Sequence, residues 1–190
     1  MAVRKVLTDP DPILRKKARK VEQVDAFIQS ILEDMAETMY AHQGVGLAAP
    51  QIGIGKRLVV IDAGEGLLKL VNPKIQAAEG REIKIEACLS VPNLCGKVER
   101  FMRVTVKALD ENGKTNKITG DELLGHALQH ELDHLDGILF TDLTEEIFAR
   151  EEESEEAAEN REETPPPEAP KAKTRRAKTP PPPPPFLQNS

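Results

Sequence analysis

The sequence predicts an α+β domain over residues 1–150, followed by a distinct segment over 151–190. Three observations lead there. Helical and strand-like periodicities are grouped along the chain and do not alternate regularly, which disfavours a doubly wound parallel sheet. Hydrophobic residues make up 39% of the chain but aromatics only 3%, with no tryptophan, so the core must be built from Leu, Ile, Val and Ala. Composition then changes abruptly near Arg150. Beyond it lie nine Glu, six Lys or Arg, and ten of the fifteen prolines, six of them consecutive at 180–185. Such a segment cannot bury enough apolar surface to offset its ordering entropy, and the reading for it is disorder or local polyproline II.

The elements follow in order. Residues 25–42 place Phe27, Ile28, Ile31, Leu32, Met35 and Met39 at helical spacing, with Asp25 as N-cap. Residues 58–61 form a short apolar run that reads as a buried strand. Residues 82–85 alternate briefly. Met102, Val104, Val106 and Ala108 alternate with Arg103, Thr105 and Lys107, the pattern of a half-buried strand. The sequence Asp110-Glu111-Asn112-Gly113 reads as a hairpin turn. Thr119-Gly120-Asp121-Glu122 fits a capping box that opens a second helix ending near Gly137.

The second helix carries the chemistry. His130-Glu131-Leu132-Asp133-His134 is an H-E-x-x-H pattern. Residues four apart on a helix lie one above the other, so both imidazoles can reach one metal ion. Glu131, beside them, can exchange a proton with a water that the ion activates. Leu124, Leu128, Leu132 and Leu135 form a stripe roughly opposite, so the helix should sit centrally. His126, one turn earlier on the histidine face, reads as a pocket-wall residue or an outer partner of the site.

A catalytic ion wants a third protein ligand and an open position. A histidine six residues beyond His134 would serve, but Phe140 stands there. A glutamate some twenty residues downstream falls within the Glu-rich run at 151–156. Cys88, in Glu86-Ala87-Cys88-Leu89-Ser90, offers a soft thiolate, or is an inert buried cysteine. Gly44-Val45-Gly46-Leu47-Ala48-Ala49-Pro50-Gln51 allows close backbone approach at its glycines and supplies a side-chain amide donor at Gln51. It lacks the lysine pattern of a phosphate loop.

Taken in order, GVGLAAPQ, EACLS and QHELDHLDG resemble the three signature segments of the peptide deformylase family, over residues 1–148. The resemblance implies antiparallel sheets around a central helix bearing the two histidines, with an N-terminal helix. It also implies a metal-dependent hydrolase that removes the N-formyl group from N-terminal formylmethionine of nascent polypeptides. Carried over by position, it makes Cys88, His130 and His134 the metal ligands and Glu131 the general acid/base. Gln51 and the Leu89 amide become donors to the developing oxyanion. Val45, Gly46, Leu123 and Ala127 line the substrate pocket, and Arg100 contacts the substrate backbone. The ion implied is iron(II) in the cell, with zinc, nickel or cobalt as substitutes. The family segment usually has glycine where this chain has Ala87. At positive φ that alanine would add strain of order 1 kcal/mol, and its methyl group can crowd a substrate strand.

The formal charge of −6 argues against nucleic acid or an anionic membrane as the main partner. No apolar run approaches the ~20 residues of a membrane helix, and residues 1–14 carry no long apolar stretch of a secretory signal. Two cysteines make no disulfide framework, so a reducing cytoplasm is expected. The five basic residues within 171–178 lie between proline blocks and read either as a solvated linker or as a transient contact for ribosomal RNA. An endopeptidase using the same histidines, and a non-catalytic module that keeps the metal for structure, are the rival functions.

Overall fold

The computed structural model describes residues 2–150. The expectations made for 151–190 lie outside these residues.

Helix α1 (Ala26–Ala41) begins where predicted, with the Asp25 carboxylate accepting the Ile28 N–H at 2.9 Å. Ile28, Ile31, Leu32, Met35 and Met39 are buried, whereas Phe27 is 66% exposed. At 100° per residue Phe27 lies about 100° from the centre of that stripe, on its flank, so spacing alone over-assigned it.

The strands are β1 (Gly46–Ala48), β2 (Leu58–Ile61), β3 (Leu68–Glu79), β4 (Glu82–Cys88), β5 (Val91–Arg100), β6 (Arg103–Leu109), β7 (Thr115–Asp121) and β8 (Ile147–Ala149). They form two antiparallel sheets, ordered β1-β2-β3-β6-β7 and β4-β5-β8. The predicted 58–61 run is β2, buried at every position because both faces of the first sheet are covered there. On one face α1 packs with Leu47, Leu58, Val60 and Val71. On the other, helix α2 (Glu122–Asp136) packs Leu128 and Leu135 with Val59, Ile61, Val104 and Val106. Each such side chain, fully buried, stabilises by about 1.5–3 kcal/mol before entropy is counted. Edge strands β1 and β4 each leave one side without a strand partner within their sheets.

The 103–109 strand buries Val104, Val106 and Ala108 as the alternation requires, but Met102 precedes it and is exposed. The turn at 110–113 is built as read: Gly113 has φ +77, and the Asp110 carboxylate accepts the N–H groups of Asn112 and Lys114. The capping box is not formed. Thr119 and Gly120 are still strand, and Thr119 Oγ1 pairs with Thr105 Oγ1 across β6 and β7 at 3.0 Å. Asp121 occupies the N-cap, but its carboxylate accepts from Arg103 at 2.8 Å and caps nothing. Cross-strand pairing competes with the cap for the same residues and wins.

Helix α2 ends at Gly137 (φ +77). A Cβ there would lie 2.7 Å from the Arg15 carbonyl, so this glycine allows both the left-handed turn and the close pass of residues 15–18. No helix among the described residues is long and apolar enough to cross a membrane.

Candidate metal centre

Helix α2 presents His130 and His134 one turn apart, with ring centroids 4.9 Å apart and nearly perpendicular. Cys88 reaches them from the end of β4, where a register irregularity between Ala87 and Cys88 interrupts the pairing with β5. Its Sγ lies 3.1 Å from His134 Nε2. One ligand atom each from Cys88, His130 and His134 can be chosen so that all lie within 4.8 Å of one another. A thiolate and two imidazoles at that mutual distance suit a divalent first-row metal ion.

His130 is held from behind. Alternation along β4 puts Glu86 on the same face as Cys88, and Glu86 Oε2 pairs with His130 Nδ1 at 2.9 Å. Arg100, on β5, grips the same carboxylate through Nε (2.6 Å) and Nη2 (2.9 Å), and reaches Asp133 on α2 through Nη1 (2.6 Å). Burial alone would raise Glu86, but hydrogen bonds from His130 and Arg100 outweigh it and hold the carboxyl down at about 2. It stays a fixed anion that orients His130 with Nδ1 turned away from the sulfur.

Arg100 is therefore not where the resemblance put it. It is 6% exposed, committed to two carboxylates, and absent from the cavity wall. A bidentate guanidinium–carboxylate pair in the interior would be costly to break for a substrate backbone.

Glu131 is 4% exposed, and burial pushes its carboxyl up to about 7. Its Oε2 and His134 Nδ1 are the buried side-chain polar atoms that lack a hydrogen-bond partner among the described residues. A buried carboxylate oxygen left unsatisfied beside three ligand atoms fits a site that takes up an ion and a water. Burial, then the charge of His130, push His134 well below the ordinary histidine value.

Gln51, 2% exposed, is fixed through Oε1, which accepts the Ala48 N–H at 2.8 Å. Its Nε2 then points at Ser90 Oγ (3.2 Å) and lies 3.6 Å from Cys88 Sγ. These residues open onto a cavity of about 460 Å³. Val45, Gly46, Gln51, Ala87, Cys88, Leu89, Leu123, Ala127, His130 and Glu131 all line it. His126 is in the wall as well, with Nε2 3.0 Å from Glu82 Oε1. Phe140 is buried in a core cluster with Val91, Val98 and Leu139. Ala87 is not among the residues with positive φ, so the strain expected of it is absent; what remains is an exposed methyl group on the cavity wall.

Sequence reasoning missed Glu86, Ser90 and Asp133. Glu86 was detectable, since residues two apart in an alternating strand share a face. Asp133 sits inside the motif, but its partner Arg100 is 33 residues away and nothing local announces it.

A family model described as polypeptide deformylase matches residues 3–148. A peptide deformylase of Acetivibrio thermocellus is 57% identical over 142 residues, covering 75% of this chain and 84% of that protein. One of Caldanaerobacter subterraneus is 52% identical over 151 residues, covering 80% and 95%. Among solved structures, the peptide deformylase of Legionella pneumophila superposes with a TM-score of 0.73 at 49% identity, covering 75% of this chain and 86% of that one. That of Ehrlichia chaffeensis, in complex with actinonin, does so with 0.75 at 38% identity, covering 76% and 90%.

Proposed function

The chain belongs to the polypeptide deformylase family, and on that premise we propose that Cys88, His130 and His134 hold its metal ion while Glu131 moves the proton. The activity is removal of the N-formyl group from the N-terminal methionine of nascent polypeptides by a metal-dependent hydrolysis. Water adds to the formyl carbon, the C–N bond breaks, and formate and a free amino terminus leave.

An ion held by Cys88, His130 and His134 would supply Lewis-acid polarisation and would acidify water. The chain does the rest. Glu131 takes the proton from the attacking water and delivers it to the departing amine nitrogen. Gln51 Nε2 and the Leu89 N–H donate to the oxygen on which negative charge develops. Glu86, held by Arg100, keeps His130 in one orientation throughout. Val45, Leu123 and Ala127 receive the methionine side chain, between the unpaired edges of β1 and β4. Residues 1–150 form the catalytic domain in this reading, and 151–190 are an appended segment.

The single observation that supports this assignment is the convergence of one sulfur and two imidazole nitrogens within 4.8 Å, next to a buried carboxylate with an unsatisfied oxygen. Incubation with formyl-Met-Ala-Ser and a formate assay tests it. Formate release dependent on the ion is expected; internal peptide cleavage, or no release from metal-loaded protein, would overturn it.

Gly46 acquires a role from its lack of a side chain. A Cβ at Gly46 would stand 2.5 Å from Glu131 Oε1 and 2.9 Å from its Cδ. Gly46→Ala is therefore expected to push the carboxylate aside and lower kcat by about tenfold or more, because a displacement near 1 Å can cost that much. KM and metal content should change little. Steady-state kinetics paired with metal analysis checks this.

Ala87→Gly removes the methyl group from the wall. A lower KM is expected, by about tenfold, the lower end of what one such group is worth in a pocket. An unchanged KM would show that the substrate passes clear of it.

Iron(II) is our assignment for the ion in the cell. Cys/His/His donors accept zinc, nickel or cobalt as well, since ligand type does not select among them. Metal analysis of protein prepared without oxygen decides. We place the enzyme in the cytoplasm, with both cysteines free. A transient ribosome contact through 171–178, outside the described residues, belongs to the same reading.

A further inference from the structure

The outer face of the five-stranded sheet treats its charges in two opposite ways. In one row across β3, β6 and β7, Glu79 faces Arg103 and Arg103 faces Asp121, so the signs alternate, and Arg103 Nη2 donates to Asp121 Oδ2 at 2.8 Å. The next row is neutral, with Ala77, Thr105 and Thr119. The row after that is Lys74, Lys107 and Lys117, each directly opposite the next. All three are exposed, and none forms an ion pair among the described residues. Like charges directly opposite one another destabilise a sheet. Strands lie about 4.8 Å apart, so the row roots three lysine side chains along a line of about 10 Å.

Two further cations precede a residue that is bonded to β3. The side-chain amide of Asn72, two residues before Lys74, bonds both the N–H and the C=O of Val21. That holds Val21 against β3; Arg19, whose backbone pairs with Gly55 and Arg57, and Lys20 are exposed and without ion-pair partners among the described residues. Glu22 follows but pairs with none of them.

We propose that the row Lys74–Lys107–Lys117 is a docking surface for the phosphate backbone of RNA. The inference rests on the reading above, because a polypeptide still being made is presented by an assembly whose surface is largely RNA. Lysine offers a point charge with three donors, suited to phosphate oxygens. No aromatic ring stands in this row or the neutral one, so bases find nothing to stack on and recognition is of backbone only. The apolar neighbours Val71 and Leu109 are packed against α1, which removes the exposed apolar face that membrane-surface binding ordinarily combines with charge. None of the three lysines lines the catalytic cavity.

The test uses the full chain and a fluorescein-labelled 20-mer of oligo(U), with anisotropy measured across a salt series. Wild type is expected to bind at ~50 mM salt, and oligo(A) equally well. The triple variant K74Q/K107Q/K117Q should bind about tenfold more weakly or worse. Its slope of log K against log salt should be shallower by about 2, since each phosphate neutralised on a single strand contributes about 0.7. The triple K74R/K107R/K117R should retain binding. Formate release from formyl-Met-Ala-Ser should be unchanged in both variants, which also reports their folding. Equal RNA binding by wild type and the glutamine variant would overturn the proposal, as would no binding by wild type, or preference for phosphatidylglycerol vesicles over RNA. Failure of wild type to release formate would instead strike the catalytic reading and leave the RNA result to be judged by itself.

Discussion

Glu131→Gln is expected to leave the protein folded and its metal content intact while lowering kcat by about 10²–10⁴, the usual worth of a positioned general acid/base. The substitution preserves shape in a place where shape is tightly set. Glu131 is buried, with Gly46 packed so closely that no side chain fits between them. An amide fills the same space without a charge to desolvate, so nothing in the packing calls for unfolding. What it cannot do is accept a proton from water and pass it to the leaving nitrogen. The loss should therefore fall on kcat, with KM for formyl-Met-Ala-Ser changed little. Steady-state formate release, metal analysis and thermal unfolding of the same preparation check all three parts. A variant that keeps kcat within a few-fold of wild type would remove Glu131 from the chemistry.

Cys88→Ala should act on the other half of the site. Cys88 is unbridged and half-buried, and its Sγ lies beside His134 Nε2 and Gln51 Nε2. In the proposed site, removing it takes one of three donors and the only soft one. Two imidazoles on one helix do not complete a protein ligand set for a catalytic ion. Bound metal should drop to a small fraction of wild type after dialysis, and formate release should fall with it. Adding excess metal to the assay should restore little, because the geometry and not only the affinity is lost. The experiment also separates the two hydrolytic readings: an endopeptidase that relied on the histidines and another third ligand would keep its metal. Full metal occupancy in Cys88→Ala would end the assignment of this cysteine.

The elements legible in the sequence are those whose pattern repeats within one turn or one strand. Helix α1 with its Asp25 cap, buried β2, the alternating face of β6 and the 110–113 turn were all readable for that reason. So was the pairing of His130 with His134, because a helix of 3.6 residues per turn places them together whatever surrounds it. The longer strands β3 and β5 escaped, since Pro73 and Pro92 and scattered polar residues break their alternation. The Thr119 cap went astray where a local preference met a competing partner across the sheet, and Phe27 because it lies on the flank of the helical stripe.

By itself the sequence determined that a central helix carries two imidazoles one turn apart with a carboxylate beside them, and the family motifs named the reaction. Tertiary structure alone decided which distant groups join them. Cys88 lies 46 residues from His134, and Glu86 44 residues from His130. Arg100 was drawn inward to brace Glu86 instead of facing substrate, and Lys74 fell into one row with the hairpin pair Lys107 and Lys117. A period in the sequence reports the conformation of a few neighbouring residues. Contacts between strands depend on register and loop closure, and these are set by packing of the whole core.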